Sequence, residues 1–361
     1  VSYTEKPDSI SFMREWMSLV ESGSGERGIF NRQASKKQAE KYGRRDSNFE
    51  FGTNPCSEII LRPYQFCNLT EVVVRATDTV KDLERKVTLA TILGTIQATY
   101  TKFSYLRKMW QRNTEEERLL GVSLTGIMDN PLMTTTNPEL EKTLEKLRKL
   151  SVTTNAKWAD RLGIPASTAI TCVKPSGTVS QLVDSSSGIH ARHSDYYIRT
   201  VRGDNKDPLT QFMKDQGVPS EPDVMKPDAT TVFSFPVKSP DNAIVTSDLS
   251  AIEQLQIWLA YQRSWCEHKP SITVNVKKDE WFKVGAFVYE HFDEMSGVSF
   301  LPYNEHTYQQ APYQEVGKSV YNDLLSLMPK AIDWSKLSVY EKEDNTAGSQ
   351  TLACSGDVCE I

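Results

Sequence analysis

The sequence lacks several features that would each have named a class. No apolar run approaches the roughly 18 residues that a membrane-spanning helix needs, and the N-terminus has no basic-then-apolar targeting pattern. There is no basic excess: 42 Lys and Arg stand against 47 Asp and Glu, a net charge of −5. That argues against a nucleic-acid-binding surface, because phosphate binding needs concentrated positive charge. Six cysteines in 361 residues are too few for a disulfide scaffold. The five histidines (His190, His193, His268, His291, His306) form no HExxH or comparable metal spacing, so packing or surface roles are expected for them and no metal site is expected. No internal repeat or low-complexity block occurs. The expectation is a cytoplasmic protein with no membrane partner.

What is present is an ordinary globular composition, 39% hydrophobic and 25% charged. At roughly 150 residues per domain, the length suggests two or three domains or one large α/β unit. Helical spacing marks residues 9–20, with Asp8 or Ser9 as the cap, and then 80–110, 115–128 and 138–162, the last stopped by Gly163 and Pro165. Strands are expected at 71–75, 167–173, 196–201, 231–237, 271–276 and 298–303, with helices at 251–266 and 279–293. Strands alternating with helices over some 200 residues predict an α/β sheet or barrel. The last 21 residues are polar and read as a mobile tail.

Three short constellations could carry chemistry. Asn54-Pro55-Cys56-Ser57-Glu58 places an amide, a thiol and a carboxylate within five residues, and Cys67 follows eleven after Cys56. An extended backbone would put Asn54, Cys56 and Glu58 on one side, because strand side chains alternate. The plain alternative is a loop with a buried cysteine between turn prolines. Lys174-Pro175-Ser176-Gly177-Thr178-Val179-Ser180 follows an apolar strand and precedes a short helix, so its N–H groups could face an anion. It is not a P-loop, since the Gly-Lys-Ser/Thr end is absent, and ordinary strand-to-helix turns look similar. Cys354 and Cys359 form a dithiol two residues from the end. About 20 residues of flexible chain span roughly 25 Å, enough to visit a site and withdraw; a frayed terminus with incidental cysteines is the alternative. Cys172 and Cys266 read as packed thiols. Tyr303, Tyr308 and Tyr313 could form a radical route, but aromatic packing is the expected use of them.

Together these features resemble one enzyme family. The segments TNPCSEIILRPYQFCNLTEVVVRATDT (53–79), EEERLLGVSLTGIMD (115–129), TCVKPSGTVSQLVDSSSGIHARHSDYYIRTVR (171–202) and SGVSFLPYNEHTYQQAPYQE (296–315), with the terminal cysteine pair, are similar to adenosylcobalamin-dependent (class II) ribonucleotide reductase, in its monomeric ribonucleoside-triphosphate reductase branch. The resemblance runs in the same order over essentially the whole chain. It implies an α/β fold, the second half of a ten-stranded barrel with its finger loop. Residues 1–50 would be a helical lead-in, 51–340 the finger loop and half-barrel, and 341–361 a redox tail.

The resemblance also implies roles. Cys56 would become the thiyl radical that takes the substrate's 3′-hydrogen, and Glu58 would take the 3′-hydroxyl proton. Asn54 would hold the ribose hydroxyls. Cys67 would be one member of the pair that ends as a disulfide, and Cys354 with Cys359 the dithiol that re-reduces it. Ser176, Gly177, Thr178, Val179 and Ser180 would bind substrate phosphates. The implied cofactor is adenosylcobalamin, and the implied partners are a ribonucleoside triphosphate and thioredoxin or a similar dithiol. The class rests on three departures from the sister enzymes. The stretch Phe300-Leu301-Pro302-Tyr303 has no adjacent tyrosine pair, while Tyr196-Tyr197 lie in a different segment. No glycyl-radical motif occurs, and the spacing from Cys56 to Cys67 is short. The first half-barrel and the cysteine that pairs with Cys67 have no counterpart here, and the chain starts at Val1. The expectation is therefore a C-terminal part that needs the missing N-terminal half. The rival readings are a class I catalytic subunit and an inactive nucleotide- or cobalamin-binding fragment.

Overall fold

The structure is a computed structural model. It describes residues 2–23, 28–303 and 309–341, with the backbone alone of 354–355 and 358–359. It divides into two compact units, 1–192 with 241–303, and 193–240 with 304–360.

The first unit begins with β1 (Ser2–Tyr3), α1 (Ser9–Ser22), β2 (Gly28–Asn31) and α2 (Arg32–Glu40). Asp8 caps α1 by accepting the N–H groups of Ile10 and Ser11, and Gly23 ends it in a left-handed conformation. The short pair β3 (Gly52–Thr53) and β4 (Ile60–Leu61) is antiparallel and brackets the Asn54–Glu58 loop. Then follow β5 (Asn68–Val73), α3 (Val80–Gln97), α4 (Lys108–Glu117), β6 (Leu120–Thr125), α5 (Pro138–Leu162) and α6 (Gly177–Leu182). The chain then builds β7 (Tyr196–Asp204), α7 (Pro208–Asp215), β8 (Ser220–Pro222) and β9 (Thr230–Lys238) in the second unit. It returns with α8 (Ala251–Ser264), β10 (Thr273–Val276), α9 (Trp281–Glu290) and β11 (Gly297–Pro302).

The core of the first unit is a parallel array. β5 pairs with β6 in register Asn68↔Leu120, and Val122 of β6 bridges Thr171 in parallel. Val173 bridges Pro270, and β10 pairs in parallel with β11. β2 continues this side antiparallel to β11, and β1 lies outside it, parallel to β2. Residues 169–173 therefore act as a strand between two neighbours, although only Thr171 and Val173 make formal bridges. Helices separate successive strands, as parallel pairing requires. β6 is buried at all six positions, the mark of a strand covered on both faces. This corrects the helix expected over 115–128. Arg118 turns left-handed (φ 46°) and ends α4, and the run Leu120–Thr125 has neighbours on both sides to pair with.

The helix expected over 80–110 also divides. α3 stops at Gln97 and α4 starts at Lys108. Leu83, Val87, Ala90 and Gly94 face the core, whereas Leu89 and Leu93 are more than half exposed. Among the described residues no helix is long and apolar enough to cross a membrane.

In the second unit β7, β8 and β9 join β12 (Tyr313–Glu315) in an antiparallel sheet of order β12-β7-β9-β8, accompanied by α10 (Lys318–Leu327) and α11 (Leu337–Tyr340). Phe212 of α7 is buried against Trp334 and Tyr340. The strands expected at 196–201 and 231–237 extend to nine residues each. Most of the tail lies outside the described residues.

A buried ionic knot holds the base of the Cys56 loop. The Glu117 carboxylate receives two bonds from Arg45 at 2.9 Å, one from Gln65 at 2.5 Å and an ion pair from Arg62 at 3.1 Å. Arg45 also donates to the Ile60 carbonyl (2.9 Å), and Gln65 accepts the Arg62 N–H (2.9 Å). All four side chains are buried. Removing one charge from such a knot leaves the others uncompensated. Glu117→Gln is therefore expected to lower the unfolding free energy by about 3 kcal/mol in a urea titration.

Candidate functional site

The loop between β3 and β4 is a turn, not an extended run. Ser57 donates its N–H to the Asn54 carbonyl (2.9 Å) and adopts φ 64°. The same-side alternation expected for Asn54, Cys56 and Glu58 is thus overturned by the turn. The outcome still joins two of them by another route. Cys56 is exposed at the turn, and Glu58 is completely buried. Lys174 reaches both: its Nζ lies 3.8 Å from Cys56 Sγ and 3.5 Å from Glu58 Oε1. Among the described residues, Glu58 Oε2 is buried with no hydrogen-bond partner. Burial works against the Lys174 charge, but Glu58 and Cys56 outweigh it, so Lys174 titrates above the usual lysine range. Asn54 turns its Oδ1 to the Ile59 N–H (3.0 Å).

A second segment, 268–271, clamps this loop from below. Lys269 N–H donates to the Glu58 carbonyl (3.2 Å), and its Nζ donates to Ser57 Oγ (2.8 Å). Ser271 Oγ donates to the Cys56 carbonyl (2.7 Å). His268 Nδ1 accepts the Ile60 N–H (3.4 Å) while Nε2 donates to the Leu120 carbonyl (2.9 Å), which fixes its tautomer. Burial pushes His268 down to about 3, with Arg45 adding to the effect. Gly297 leaves room for Lys269: a Cβ there would lie 2.7 Å from Nζ, so the ammonium would have to shift.

Cys67 is half-buried just before β5. A Cβ on Gly121 would meet its Sγ at 3.3 Å, so the glycine leaves room for the sulfur. Burial pushes the Cys67 thiol far up, Glu58 adds to this and Arg45 opposes it. Cys172 and Cys266 are buried, and burial raises both thiols.

Ser176 is buried in a left-handed conformation (φ 55°) and precedes the single short helix α6. Gly177 and Val179 are partly exposed, Thr178 is exposed and Ser180 is buried. His190 ties this region to β10: Nδ1 donates to the Ser187 carbonyl (2.9 Å) and Nε2 accepts the Thr273 N–H (3.1 Å). Arg192 grips Asp129 in a two-pronged buried pair, and Asp129 accepts the Ser186 N–H. The Cys354 and Cys359 side chains lie outside the described residues. Their backbones stand opposite each other in the short antiparallel pair β13 (Cys354–Ser355) and β14 (Val358–Cys359).

Sequence reasoning named Lys174 only as the start of a loop, and missed Ser57, Lys269 and Ser271. The available signal is the Lys-Pro pair followed by Ser, which occurs twice, at 174–176 and 269–271. Each follows or precedes a parallel strand segment, and the two pairs face each other through the Val173↔Pro270 bridge.

The chain is similar to curated adenosylcobalamin-dependent ribonucleoside-triphosphate reductases. That of Lactobacillus gasseri is 30% identical over 338 residues, covering 82% of this chain and 44% of the relative. That of Euglena gracilis is 27% identical over 338 residues, covering 92% and 45%. No family model matches. A crystal structure of B12-dependent (class II) ribonucleotide reductase superposes with a TM-score of 0.80 at 24% identity, over 95% of this chain and 51% of the other. The class Id ribonucleotide reductase alpha subunit of Actinobacillus ureae superposes at 0.56, with 13% identity, over 82% and 62%. The chain thus has the mixed α/β fold of the class II enzyme over the matched region, and resembles the cobalamin-dependent reductases along most of its length. It spans about half the length of the curated relatives it matches.

Lys269 gives the site a testable signature. Burial moves its ammonium from 10.5 down to about 7, against the opposing effect of Glu58. An unfolded chain keeps this amine protonated to its ordinary value, so above pH 7 unfolding takes up a proton. Stability is expected to rise between pH 7 and 9, by up to about 1.4 kcal/mol per pH unit from this group. Urea midpoints at pH 7, 8 and 9 check this, and Lys269→Met is expected to flatten the slope.

Proposed function

We propose that this chain carries the radical cysteine and the acid-base carboxylate of an adenosylcobalamin-dependent ribonucleoside-triphosphate reductase. The observation that carries the reading is the meeting of Cys56 and Glu58 on the Lys174 ammonium, in a chain similar to those reductases. A thiol for hydrogen transfer and a buried carboxylate for proton transfer are the two groups that removal of a ribose hydroxyl requires. The Cys56 residue, exposed among the described residues, suits a bulky radical source. Bound adenosylcobalamin supplies the one-electron chemistry that converts this thiol to a thiyl.

In this reading the residues act in turn. The Cys56 thiyl takes the hydrogen from C3′ and is restored to S–H when that hydrogen returns. Glu58, with Oε2 unpartnered, accepts the 3′-hydroxyl proton. Asn54 has its Oδ1 engaged by Ile59, so its amide N–H groups remain to orient the ribose hydroxyls. The 2′-hydroxyl leaves as water. Two thiols supply the two electrons and two protons and become a disulfide; Cys67 is one of them. Cys354 and Cys359 then exchange with that disulfide and are reduced by thioredoxin or a similar dithiol. The N–H groups at the start of α6, over Ser176–Ser180, face the phosphates. The domain division of a lead-in over 1–50, a catalytic region over 51–340 and a redox tail over 341–361 belongs to the same proposal.

The test is an anaerobic assay with adenosylcobalamin, a ribonucleoside triphosphate and a dithiol. It is run on the chain alone and with the remaining part of a relative's chain added, since the proposal includes dependence on that part. Deoxynucleotide is expected only when adenosylcobalamin is present and the added part is supplied. Turnover without cobalamin, driven by a separate radical-generating subunit, would overturn the reading in favour of a class I subunit. No turnover under any of these conditions would overturn it in favour of an inactive binding fragment. Cys56→Ser is expected to abolish deoxynucleotide formation, and Glu58→Gln to slow it by about 10²-fold or more.

A further inference from the structure

Lys174 is built into the site from its backbone outward. Its N–H donates to Ser123 Oγ (2.9 Å), and Ser123 in turn donates to Glu71 Oε1 (2.9 Å). Its carbonyl packs against Gly188 so closely that a Cβ there would lie at 2.3 Å. Pro175 follows at once and restricts the conformation of Lys174. The base of the side chain is therefore fixed, and its 27% exposure comes from an arm that lies across the loop. At its end one ammonium meets two groups of opposite demand. The Glu58 carboxylate is fully buried and needs a cation. The Cys56 sulfur is exposed and would not need one for stability.

We propose that Lys174 is a catalytic residue of this site: one ammonium that compensates the buried Glu58 carboxylate and at the same time holds and polarises the Cys56 sulfur. A lysine suits this task better than an arginine. Its three donors radiate from a single atom, so it can serve an oxygen and a sulfur in different directions, whereas a guanidinium is a flat fork matched to one carboxylate. The buried carboxylate thereby has a cation 3.5 Å from Oε1. The sulfur is kept within reach of the same substrate edge. The raised titration of Lys174 agrees with a group that stays charged through neutral pH. Glu71 lies on the far side of Ser123 and adds further negative charge around Nζ.

This inference rests on the reductase reading for its meaning, but its test does not need turnover. Intact protein is treated with iodoacetamide at pH 8, and the modification of Cys56 is followed by peptide mass mapping. Removing a cation near 4 Å from the sulfur is expected to slow alkylation of Cys56 about tenfold in Lys174→Met. Lys174→Arg, which keeps the charge, is expected to stay within about threefold of the parent. If Lys174→Met does not fold, Lys174→Met/Glu58→Gln removes the stranded carboxylate, and its Cys56 is expected to react more slowly than that of Glu58→Gln alone. Equal Cys56 reactivity with and without Lys174 in these pairs would overturn the proposal, and would do so even if Cys56→Ser abolished turnover. Conversely, a slowed Cys56 in Lys174→Met together with full turnover in Cys56→Ser would leave the ammonium–sulfur contact standing and sink the reductase reading instead.

Discussion

An ionised carboxylate cut off from water is costly unless a cation or hydrogen bonds compensate it, and the pairing of Glu58 with Lys174 meets that constraint. Glu58 is completely buried, and Lys174 is its ion-pair partner. To bring them together the chain must turn tightly at Ser57 and pin that turn from two sides. The knot around Glu117 fixes the chain on either side of β4, through Arg45 and Arg62. The segment 268–271 fixes the turn itself, through bonds to Cys56, Ser57, Glu58 and Ile60. The exposed sulfur of Cys56 is therefore carried on a rigid mount, although it sits on a loop. A hydrogen-transfer step needs that rigidity, because small displacements of a reacting atom are costly.

The two lysines at the site show how environment separates identical side chains. Lys174 faces a carboxylate and a sulfur, and remains a cation. Lys269 has Ser57 Oγ as its hydrogen-bond partner in a fully buried position, and burial brings it to about 7. One is suited to hold charge and the other to support a turn. Gly188 and Gly297 lie against the two lysines: a Cβ on Gly188 would strike the Lys174 carbonyl, and one on Gly297 would push the Lys269 ammonium aside.

Much of this was legible in the sequence, for identifiable reasons. The helix over 138–162 announces itself through its helical spacing and through Gly163 and Pro165 at its end, signals that depend on local sequence alone. The strands at 273–276 and 297–302 are short β-branched or apolar runs and were found near their true limits. One misread segment was 120–125, where Leu-Gly-Val-Ser-Leu-Thr continues a helical pattern and only parallel neighbours on both sides make it a strand. At the site, Asn54, Cys56, Glu58 and Cys67 stand out by type and spacing. The turn at Ser57 does not, because it is imposed by Lys269 and Ser271 from more than 200 residues away. Lys174 lay inside a motif read for its backbone, so its side chain went unconsidered. Pairings between distant segments leave no local trace, and these were the ones missed.

The most direct measurement of the central claim follows the radical step apart from reduction. Adenosylcobalamin labelled with tritium at its 5′ carbon is incubated with the protein and the remaining part of a relative's chain, and label entering water is counted. Washout is expected with the parent protein and with Glu58→Gln, and none with Cys56→Ser, since in the proposed reaction the Cys56 thiol is the group that exchanges hydrogen with solvent. Undiminished washout from Cys56→Ser would contradict it, because the radical would then form without the sulfur around which the site is described here.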